Sequence, residues 1–406
     1  KNREVYFFKN VILWIVLSSI QVRRSYVLGL FLLFFCVSIF DCAVGQYWLD
    51  QQKMRFTPYL LLLLILVLDQ PVNLPWVHNA GRPEPTEHEL LQTYVHNASA
   101  VLDADRQAGK KHVLLIGSSR SMMLGEIRHH DLNADPHLDD RSRATLGEFT
   151  FDPRLAFPGA NLLGELIVAD ELTRSGVKPD LIVLELGPEF LNEVLVESSY
   201  NQNIYETDFL LRHMKSFPRE MMLDAIVRIA LPSYRYKFRP EAAILGGFDS
   251  EFESKRNLMS LLLGQKRSFV SEGREVRDYA GSDEIHDEAF RAQLDSIAQT
   301  LVPVRQRHHL DAMVVHLLGI LKNSGIPTVV WYPPVNPQFR QTIYERHGKE
   351  LDPAGFDRIV RESGLAVADS TSFEKKCNRW EDAVHPSRRC NGLIAMAILN
   401  AAAAQR

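Results

Sequence analysis

Short apolar runs alternate with amphipathic segments along much of the chain. The runs are rich in branched residues, too short for helices and bounded by turn residues, which indicates buried strands. Strands that alternate with helices favour an α/β fold, in which helices cover both faces of a parallel sheet. The predicted strands are 113–116, a short one from Leu155, 181–187, 328–332 and 365–368; helices are predicted from Met122, Leu162 and Asp311, with a helical tail over 391–403.

The alternation stops over residues 198–308. This segment has many charges, several amphipathic stretches and no good strand, so we predict a largely helical insertion. An insertion above the strand ends would form a lid or an acceptor-binding surface. A solvated helical elaboration with no part in the chemistry is an equally good interpretation.

About the first seventy residues are far more apolar than the rest. Apolar stretches at 6–20, 26–45 and 57–76 predict about three membrane spans within residues 1–77. A cleavable signal sequence and a buried core helix are the alternatives, but serial apolar stretches and long leucine runs argue against them. The polar segment 78–111 is predicted to be a linker and docking helix that leads into a domain over 112–406.

Charge excludes one class of partner. The 406 residues carry a formal net charge of −4, whereas a nucleic-acid-binding protein needs a basic face. Positive residues are divided almost evenly among the loops that flank the apolar stretches, so they do not set a membrane orientation. Three spans with the amino end inside would put the large domain outside.

Candidate chemistry begins at the turn after the strand 113–116. Gly117 ends this strand, and Ser118, Ser119 and Ser121 lie between it and the next predicted helix. Open α/β sheets bind their ligands at this position, and free N–H groups there favour an anion or an oxyanion. A serine in this turn is well placed as a nucleophile, although serine at a helix start is first of all an N-cap.

A second candidate pair lies near the carboxyl terminus, in a loop before the helical tail. Asp382 and His385 are three residues apart, which lets the carboxylate reach one imidazole nitrogen. The other nitrogen can then take a proton from a serine. An isolated Asp and His in a loop are usually surface residues, so this pair gains meaning only together with the serine turn.

The two stretches together resemble the SGNH/GDSL hydrolase superfamily. Its members carry a Gly-Asp-Ser turn after the first strand and an Asp-x-x-His near the end, and Gly117-Ser118-Ser119 and Asp382-Ala-Val-His385 match that layout. The resemblance implies a three-layer flavodoxin-like sheet and a triad of Ser119, His385 and Asp382. The Gly-Ser-Ser form resembles the membrane-anchored branch that includes D-alanyl transfer proteins and accessory acyltransferases of cell-surface polysaccharides.

The resemblance also implies an oxyanion hole. The N–H groups of Ser119 and Gly159 are its candidate donors, since Gly159 follows a short strand as in the second block of the superfamily. The third block normally supplies an Asn, but here Gly187 is followed by Pro188 and Glu189. An ionised Glu189 would repel an oxyanion. Asn192 is a possible substitute, although a lone loop Asn is more often a turn residue.

Cysteines and histidines add two further hypotheses. Cys377 and Cys390 bracket the Asp-x-x-His loop, and a disulfide between them would need an oxidising compartment. In a cytoplasmic domain both would be free thiols, and the sequence leaves this open. His308, His309 and His316 lack a set of partners with ligand spacing, so we predict surface histidines, no metal site and no cofactor.

The resulting hypothesis is a membrane-anchored serine acyltransferase or esterase of cell-envelope polysaccharide, acting on acetyl-like acyl groups. It implies the bacterial cytoplasmic membrane, a domain on the periplasmic or extracellular side, and a polytopic membrane acyltransferase and an envelope acceptor as partners. A simple envelope esterase is one alternative. A non-catalytic scaffold with the SGNH fold is the other, and Glu189 favours it.

Overall fold

A computed structural model of the chain provides the coordinates. The structure describes residues 57–74, 87–129, 132–133, 135–157, 160, 162–188, 207–217, 219–235, 279–280, 292, 307–369, 376–382 and 384–405. These residues divide into two compact units. One unit holds described residues before Glu84 and within Glu220–Phe248, and the other holds those of Pro85–Arg219 and Asp249–Arg406.

Helices and strands alternate as the sequence pattern predicts. In chain order the elements are α1 (Thr57–Asp69), α2 (Glu87–Gln107), β1 (Lys111–Gly117), α3 (Ser119–Gly125), α4 (Asp140–Gly147), β2 (Phe149–Ala156), α5 (Leu162–Ser175), β3 (Leu181–Glu185), α6 (Thr207–His213), α7 (Arg219–Ala230), α8 (Pro232–Arg235), α9 (Arg307–Asn323), β4 (Thr328–Tyr332), α10 (Pro337–Leu351), α11 (Pro353–Glu362), β5 (Ala366–Asp369) and α12 (Asn391–Ala404).

The five strands β1 to β5 form one parallel sheet in the order β2-β1-β3-β4-β5. The predicted parallel α/β class is therefore confirmed. This strand order places a topological switch point between β1 and β3, because the chain crosses to one side of β1 first and to the other side afterwards. Ligands of open α/β sheets bind outside the carboxyl ends of the strands at such a point.

The edge strand β2 is longer than the sequence predicted. It begins at Phe149 rather than at Leu155, and it contains Pro153. Proline has no N–H for a ladder and is confined to edge strands or bulges. Both conditions hold here, since β2 is the edge of the sheet and its pairing with β1 shifts register between Leu114 and Ile116.

Two groups of helices cover the sheet. Alternate side chains of a strand point to opposite faces. On one face Val113 and Leu115 pack in a buried cluster with Ile394 of α12 and with residues of α3 and α4. On the other face Leu114 and Ile116 are fully buried beside the layer of α2, α5 and α9. Burial on both faces explains why the sequence of β1 contains a continuous apolar run.

A buried histidine joins three elements at the amino edge of the sheet. His112 lies at the start of β1, and its Nδ1 is 2.6 Å from Asp105 Oδ2 of α2 while Nε2 is 3.4 Å from Asp152 Oδ2 of β2. Burial by itself would lower the pKa of His112, but the hydrogen bonds and charges of Asp152 and Asp105 outweigh it and raise this pKa. The imidazole ring of His112 is thus held between two carboxylates that favour its protonated form.

The apolar helix α1 is 13 residues long and ends at Asp69. A 3-10 turn over Gln70–Asn73 follows, and Pro71 within it lacks the N–H that a continuing helix needs. The span predicted over 57–76 is therefore not one continuous helix. Within the described ranges no helix is both long and apolar enough to cross a membrane. The other two predicted spans lie outside the described residues.

The predicted insertion 198–308 is helical where the structure describes it, with one exception. Tyr279–Ala280 forms a short antiparallel pair with Arg379–Trp380, which the sequence did not predict. The predicted insertion is also not one body. Helix α6 belongs to the α/β unit, whereas α8 and all but the first residue of α7 belong to the unit that contains α1.

Candidate active site

The serine turn lies at the switch point of the sheet, directly after β1. Ser118 has an extended backbone and caps α3, and its side chain accepts from the N–H of Arg120 at 3.4 Å. Gly117 makes the tight turn possible, because a Cβ at this position would overlap the side chains of Glu185 and Ser121. The helix then starts at Ser119, whose side chain is partly exposed.

Ser119 is the first member of a continuous chain of hydrogen bonds. Its Oγ lies 2.7 Å from His385 Nε2. On the other side of the ring, His385 Nδ1 lies 2.8 and 2.9 Å from the two carboxylate oxygens of Asp382. With Asp382 ionised, Nδ1 carries the proton and Nε2 accepts from the serine hydroxyl. The structure thus brings the three predicted triad residues together in the order that base catalysis requires.

The Asp382 carboxylate is anchored by its own loop. Its Oδ1 accepts the N–H groups of Val384 at 2.9 Å and of His385 at 2.8 Å. Burial alone would raise the pKa of Asp382, but the hydrogen bond and charge of His385 and these two backbone donors lower it. Asp382 is therefore kept ionised and oriented, so the local loop geometry explains why three-residue spacing suits this pair.

Several bonds hold the His385 loop against α3. A disulfide joins Cys377 and Cys390 on the two sides of the loop. Asn391 Nδ2 donates to the carbonyl of Met123 at 2.8 Å. Arg388 pairs with two carboxylates. Its Nη1 lies 2.9 Å from Glu126 Oε2, just beyond α3, and its Nε lies 3.2 Å from Glu381 Oε1, next to Asp382. These contacts fix the position of His385 relative to Ser119.

A buried carboxylate that the sequence did not predict lies behind the serine turn. Glu185, at the end of β3, is 1% exposed and accepts from the N–H of Ser118 at 3.0 Å and of Ser121 at 3.0 Å. The hydroxyls of these serines donate to it at 2.5 and 2.6 Å. Arg120 also pairs with this carboxylate, since its Nε and Nη2 lie 2.7 Å and 2.5 Å from Glu185 Oε1.

The sequence did contain a signal for this carboxylate. Glu185 interrupts an otherwise apolar, buried strand, and buried charges in proteins are paired or hydrogen-bonded. Burial alone would raise the pKa of Glu185, but the Arg120 guanidinium and the serine donors lower it. Glu165 of α5 is also buried, and both burial and the charge of Glu185 raise its pKa well above the usual range. The surroundings therefore favour the ionised form of Glu185 and the neutral form of Glu165.

The proposed oxyanion hole is only partly described. Gly159, Glu189 and Asn192 lie outside the described residues. The N–H of Ser119 donates to no group in the part of the chain that the structure describes, in contrast to the N–H groups of Ser118 and Ser121.

A second polar cluster lies on the helical layer of the α/β unit. His316 Nε2 of α9 is 2.7 Å from His213 Nδ1 of α6, and His213 Nε2 is 2.9 Å from Asp170 Oδ1. Arg212 also pairs with Asp170 at 2.6 Å. His316, predicted to be a surface histidine, is thus half-buried in a hydrogen-bonded row. The described ranges contain no group of three side chains arranged to hold a metal ion.

Fold and site together define a class: a parallel α/β domain with a serine–histidine–aspartate hydrogen-bond chain at the switch point of its sheet. The chain belongs to the family described as "Protein of unknown function (DUF1574)", whose match covers residues 49–401. No curated protein gives a significant match to the chain. The family match includes both the serine turn and the His385 loop, so the whole candidate site falls within the shared region.

Proposed function

We propose that this protein is a membrane-anchored serine acyltransferase or esterase of the SGNH/GDSL type, acting on acyl groups of cell-envelope polysaccharide. The observation that carries the proposal is the unbroken hydrogen-bond chain from Ser119 through His385 to Asp382. Such a chain activates a hydroxyl as a nucleophile. Its position at the switch point of a parallel sheet, where ligands bind, supports the same conclusion.

The geometry supports a two-stage reaction. As Ser119 Oγ bonds to the acyl carbonyl carbon, His385 Nε2 takes the hydroxyl proton and the carbonyl electron pair moves to oxygen. Asp382 stabilises the imidazolium. When the tetrahedral intermediate collapses, the bond from carbon to the leaving oxygen breaks and Nε2 returns its proton to that oxygen. A sugar hydroxyl or water then gives its proton to His385 Nε2 and attacks the acyl-enzyme. When the bond from the acyl carbon to Ser119 Oγ breaks, Nε2 returns this proton to Ser119 Oγ.

The Ser119 N–H supports the charged intermediate of both stages. A preorganised donor aimed at a developing oxyanion contributes roughly 3 kcal/mol to the lowering of a barrier in enzymes of this type. Gly159 is the proposed second donor and Asn192 the alternative third. Glu189 would oppose an oxyanion and favours the scaffold alternative, but the hydrogen-bonded order of the triad counts against a scaffold.

Surface properties support a membrane location. In the unit that holds α1, Leu62 and Leu68 are 54% and 57% exposed, and on α7 Leu223 and Ile226 are 62% and 57% exposed. Asp69 of α1 accepts the N–H of Ser233 in α8 at 2.8 Å, and Gln70 Nε2 donates to the carbonyl of Ala230 at the end of α7 at 3.3 Å, so α1 and α7 are joined within one unit. Apolar side chains this exposed suit a lipid surface better than water.

The remaining parts of the proposal rest on the disulfide and on the family resemblance. A disulfide between Cys377 and Cys390 suits an oxidising compartment, which favours the periplasmic or extracellular side of the bacterial cytoplasmic membrane. A polytopic membrane acyltransferase as donor and an envelope polysaccharide as acceptor come from the resemblance to the D-alanyl transfer and polysaccharide acyltransferase branch. A simple esterase would share the first stage of the reaction and use water in the second.

Turnover of a short-chain acyl ester by the full chain in detergent tests this proposal. We expect hydrolysis and covalent labelling by a fluorophosphonate, both lost in Ser119→Ala and His385→Ala. Ser142→Ala, in α4 away from the site, is the matched control and should behave as the wild type. A folded wild-type protein that neither turns over the ester nor becomes labelled would leave the scaffold alternative. Added glycan acceptors then separate transfer from hydrolysis.

A further inference from the structure

We propose that Glu185 is the positioning residue of this site: its buried carboxylate holds the serine turn in the conformation that presents Ser119 to His385. The inference rests on the proposed function, because it concerns the geometry of the same nucleophile. Glu185 touches neither Ser119 nor His385 in the described contacts, so it would act through the turn and not on the substrate.

The two carboxylate oxygens of Glu185 accept hydrogen bonds from different groups of the serine turn. Oε2 accepts the N–H groups of Ser118 and Ser121 and the hydroxyl of Ser121. Oε1 accepts the hydroxyl of Ser118 and two nitrogens of Arg120. The residues on both sides of Ser119 are thus tied to one acceptor from β3. Among the described contacts, the Ser119 hydroxyl meets His385 instead of Glu185, and no acceptor of the Ser119 N–H is among them.

Charge neutralisation makes this arrangement compatible with an oxyanion. A lone buried carboxylate behind the turn would repel the negative charge that develops on a substrate carbonyl. The Arg120 guanidinium, only 5% exposed, cancels the charge of Glu185. Burial and the charge of Glu185 raise the pKa of Glu165, the other buried carboxyl of this region, which favours its neutral form. The ion pair of Arg120 and Glu185 therefore reduces the negative charge behind the reacting serine.

The surroundings of Glu185 leave little room for another residue. Gly117 has no Cβ, and one placed there would overlap the Cβ and the Oε2 of Glu185. Among its described partners, the two backbone N–H groups and the Arg120 guanidinium can only donate, so an amide in its place would direct an N–H group at one of these donors. A shorter aspartate would fall about 1.5 Å short of the turn, roughly the length of one carbon–carbon bond. A glutamate therefore fits this position better than a glutamine or an aspartate.

Glu185→Gln in the full chain tests the inference, with Ser121→Ala as a milder second variant. Because displacement of a reacting group by about 1 Å can cost about 100-fold, we expect kcat and the fluorophosphonate labelling rate of Glu185→Gln to fall about 100-fold. KM should stay within about twofold, since loss of a transition-state interaction lowers kcat alone. For Ser121→Ala, which leaves both N–H donors in place, we expect a fall of about three- to tenfold.

A matched control separates positioning from general stability. Val360 is fully buried in α11, whose carboxyl end adjoins the amino end of β5, at the edge of the sheet opposite the site. Val360→Ala should lower Tm as a cavity-forming change but keep kcat. If Glu185→Gln retains the kcat of Val360→Ala, the inference is wrong. If Glu185→Gln does not fold, an unchanged kcat in Ser121→Ala overturns the inference.

One further measurement distinguishes failure of this inference from failure of the proposed function. Imidazole ¹⁵N NMR reports whether His385 Nε2 still accepts a hydrogen bond from Ser119, with His385→Ala used to assign the signal. We expect this bond in the wild type and its loss in Glu185→Gln. A wild type with the bond but without labelling would contradict the proposed function alone. Persistence of the bond in folded Glu185→Gln would contradict the positioning role alone.

Discussion

Replacement of Asp382 by asparagine should disable the triad while leaving its loop intact. Oδ1 of an asparagine can still accept the N–H groups of Val384 and His385, which lie 2.9 and 2.8 Å from it in the wild type. The amide nitrogen, however, would face His385 Nδ1 at about the 2.8 Å now occupied by a carboxylate oxygen. Because that nitrogen donates, Nδ1 becomes an acceptor and the ring proton moves to Nε2.

This change of tautomer reverses the bond to the nucleophile. In the wild type, Nε2 accepts from Ser119 Oγ at 2.7 Å. In the variant, a protonated Nε2 would donate to Ser119 Oγ and could not remove the serine proton. The same substitution in other serine–histidine–aspartate enzymes lowers kcat by about 10⁴. We expect a similar loss, which corresponds to about 5 kcal/mol of transition-state stabilisation.

Asp382→Asn is assayed by ester turnover and by its unfolding transition. We expect kcat to fall about 10⁴-fold, with Tm nearly unchanged because both backbone hydrogen bonds of the loop persist. Asp357→Asn, which removes a surface pair with Arg361, is the matched control and should keep full activity. A loss of less than tenfold in Asp382→Asn would refute the assigned role of this carboxylate.

Three further predictions concern stability and membrane binding. Cys390→Ala should lower the free energy of unfolding by about 3 kcal/mol, because the disulfide closes a short loop, and urea unfolding measures this. Wild-type stability should be greatest below the ordinary His112 pKa of 6.5 and decline as pH rises through its raised folded pKa, whereas His112→Gln should lose this dependence. Ile226→Ser should weaken flotation of the full chain with phospholipid vesicles, since it removes an exposed apolar side chain of α7.

Each of these predictions has its own control. Added reductant should destabilise the wild type but have no effect on Cys390→Ala, and equal effects would contradict the prediction. His137→Gln alters an exposed histidine and should keep the wild-type pH profile; the same profile in His112→Gln would exclude His112 as its source. Leu211→Ser lies on α6 in the other unit and should bind vesicles normally, and an equal loss in both serine variants would argue against α7 as the contact.

Local patterns predicted the elements that depend on near neighbours. Branched apolar runs marked β1, β3 and β4, because a strand buried on both faces must be apolar throughout. Strand β2 was predicted too short. It contains Pro153, and a proline is compatible with a strand only at the edge of a sheet or at a bulge. Its edge position follows from strand order, which no local pattern contains. Similarly, Pro71 explains where the apolar helix α1 ends, but leucine content alone suggested a longer span.

For the candidate site, sequence by itself determined the residue types: a serine turn after a strand and an Asp-x-x-His loop. Both are local motifs, and their spacing limits their geometry. Tertiary structure decided which distant groups meet. Ser119 and His385 are 266 residues apart, and Arg120 and Glu185 are 65 apart. Such contacts exist because a parallel sheet gathers the carboxyl ends of its strands at one edge, and the strand order sets β1 beside β3.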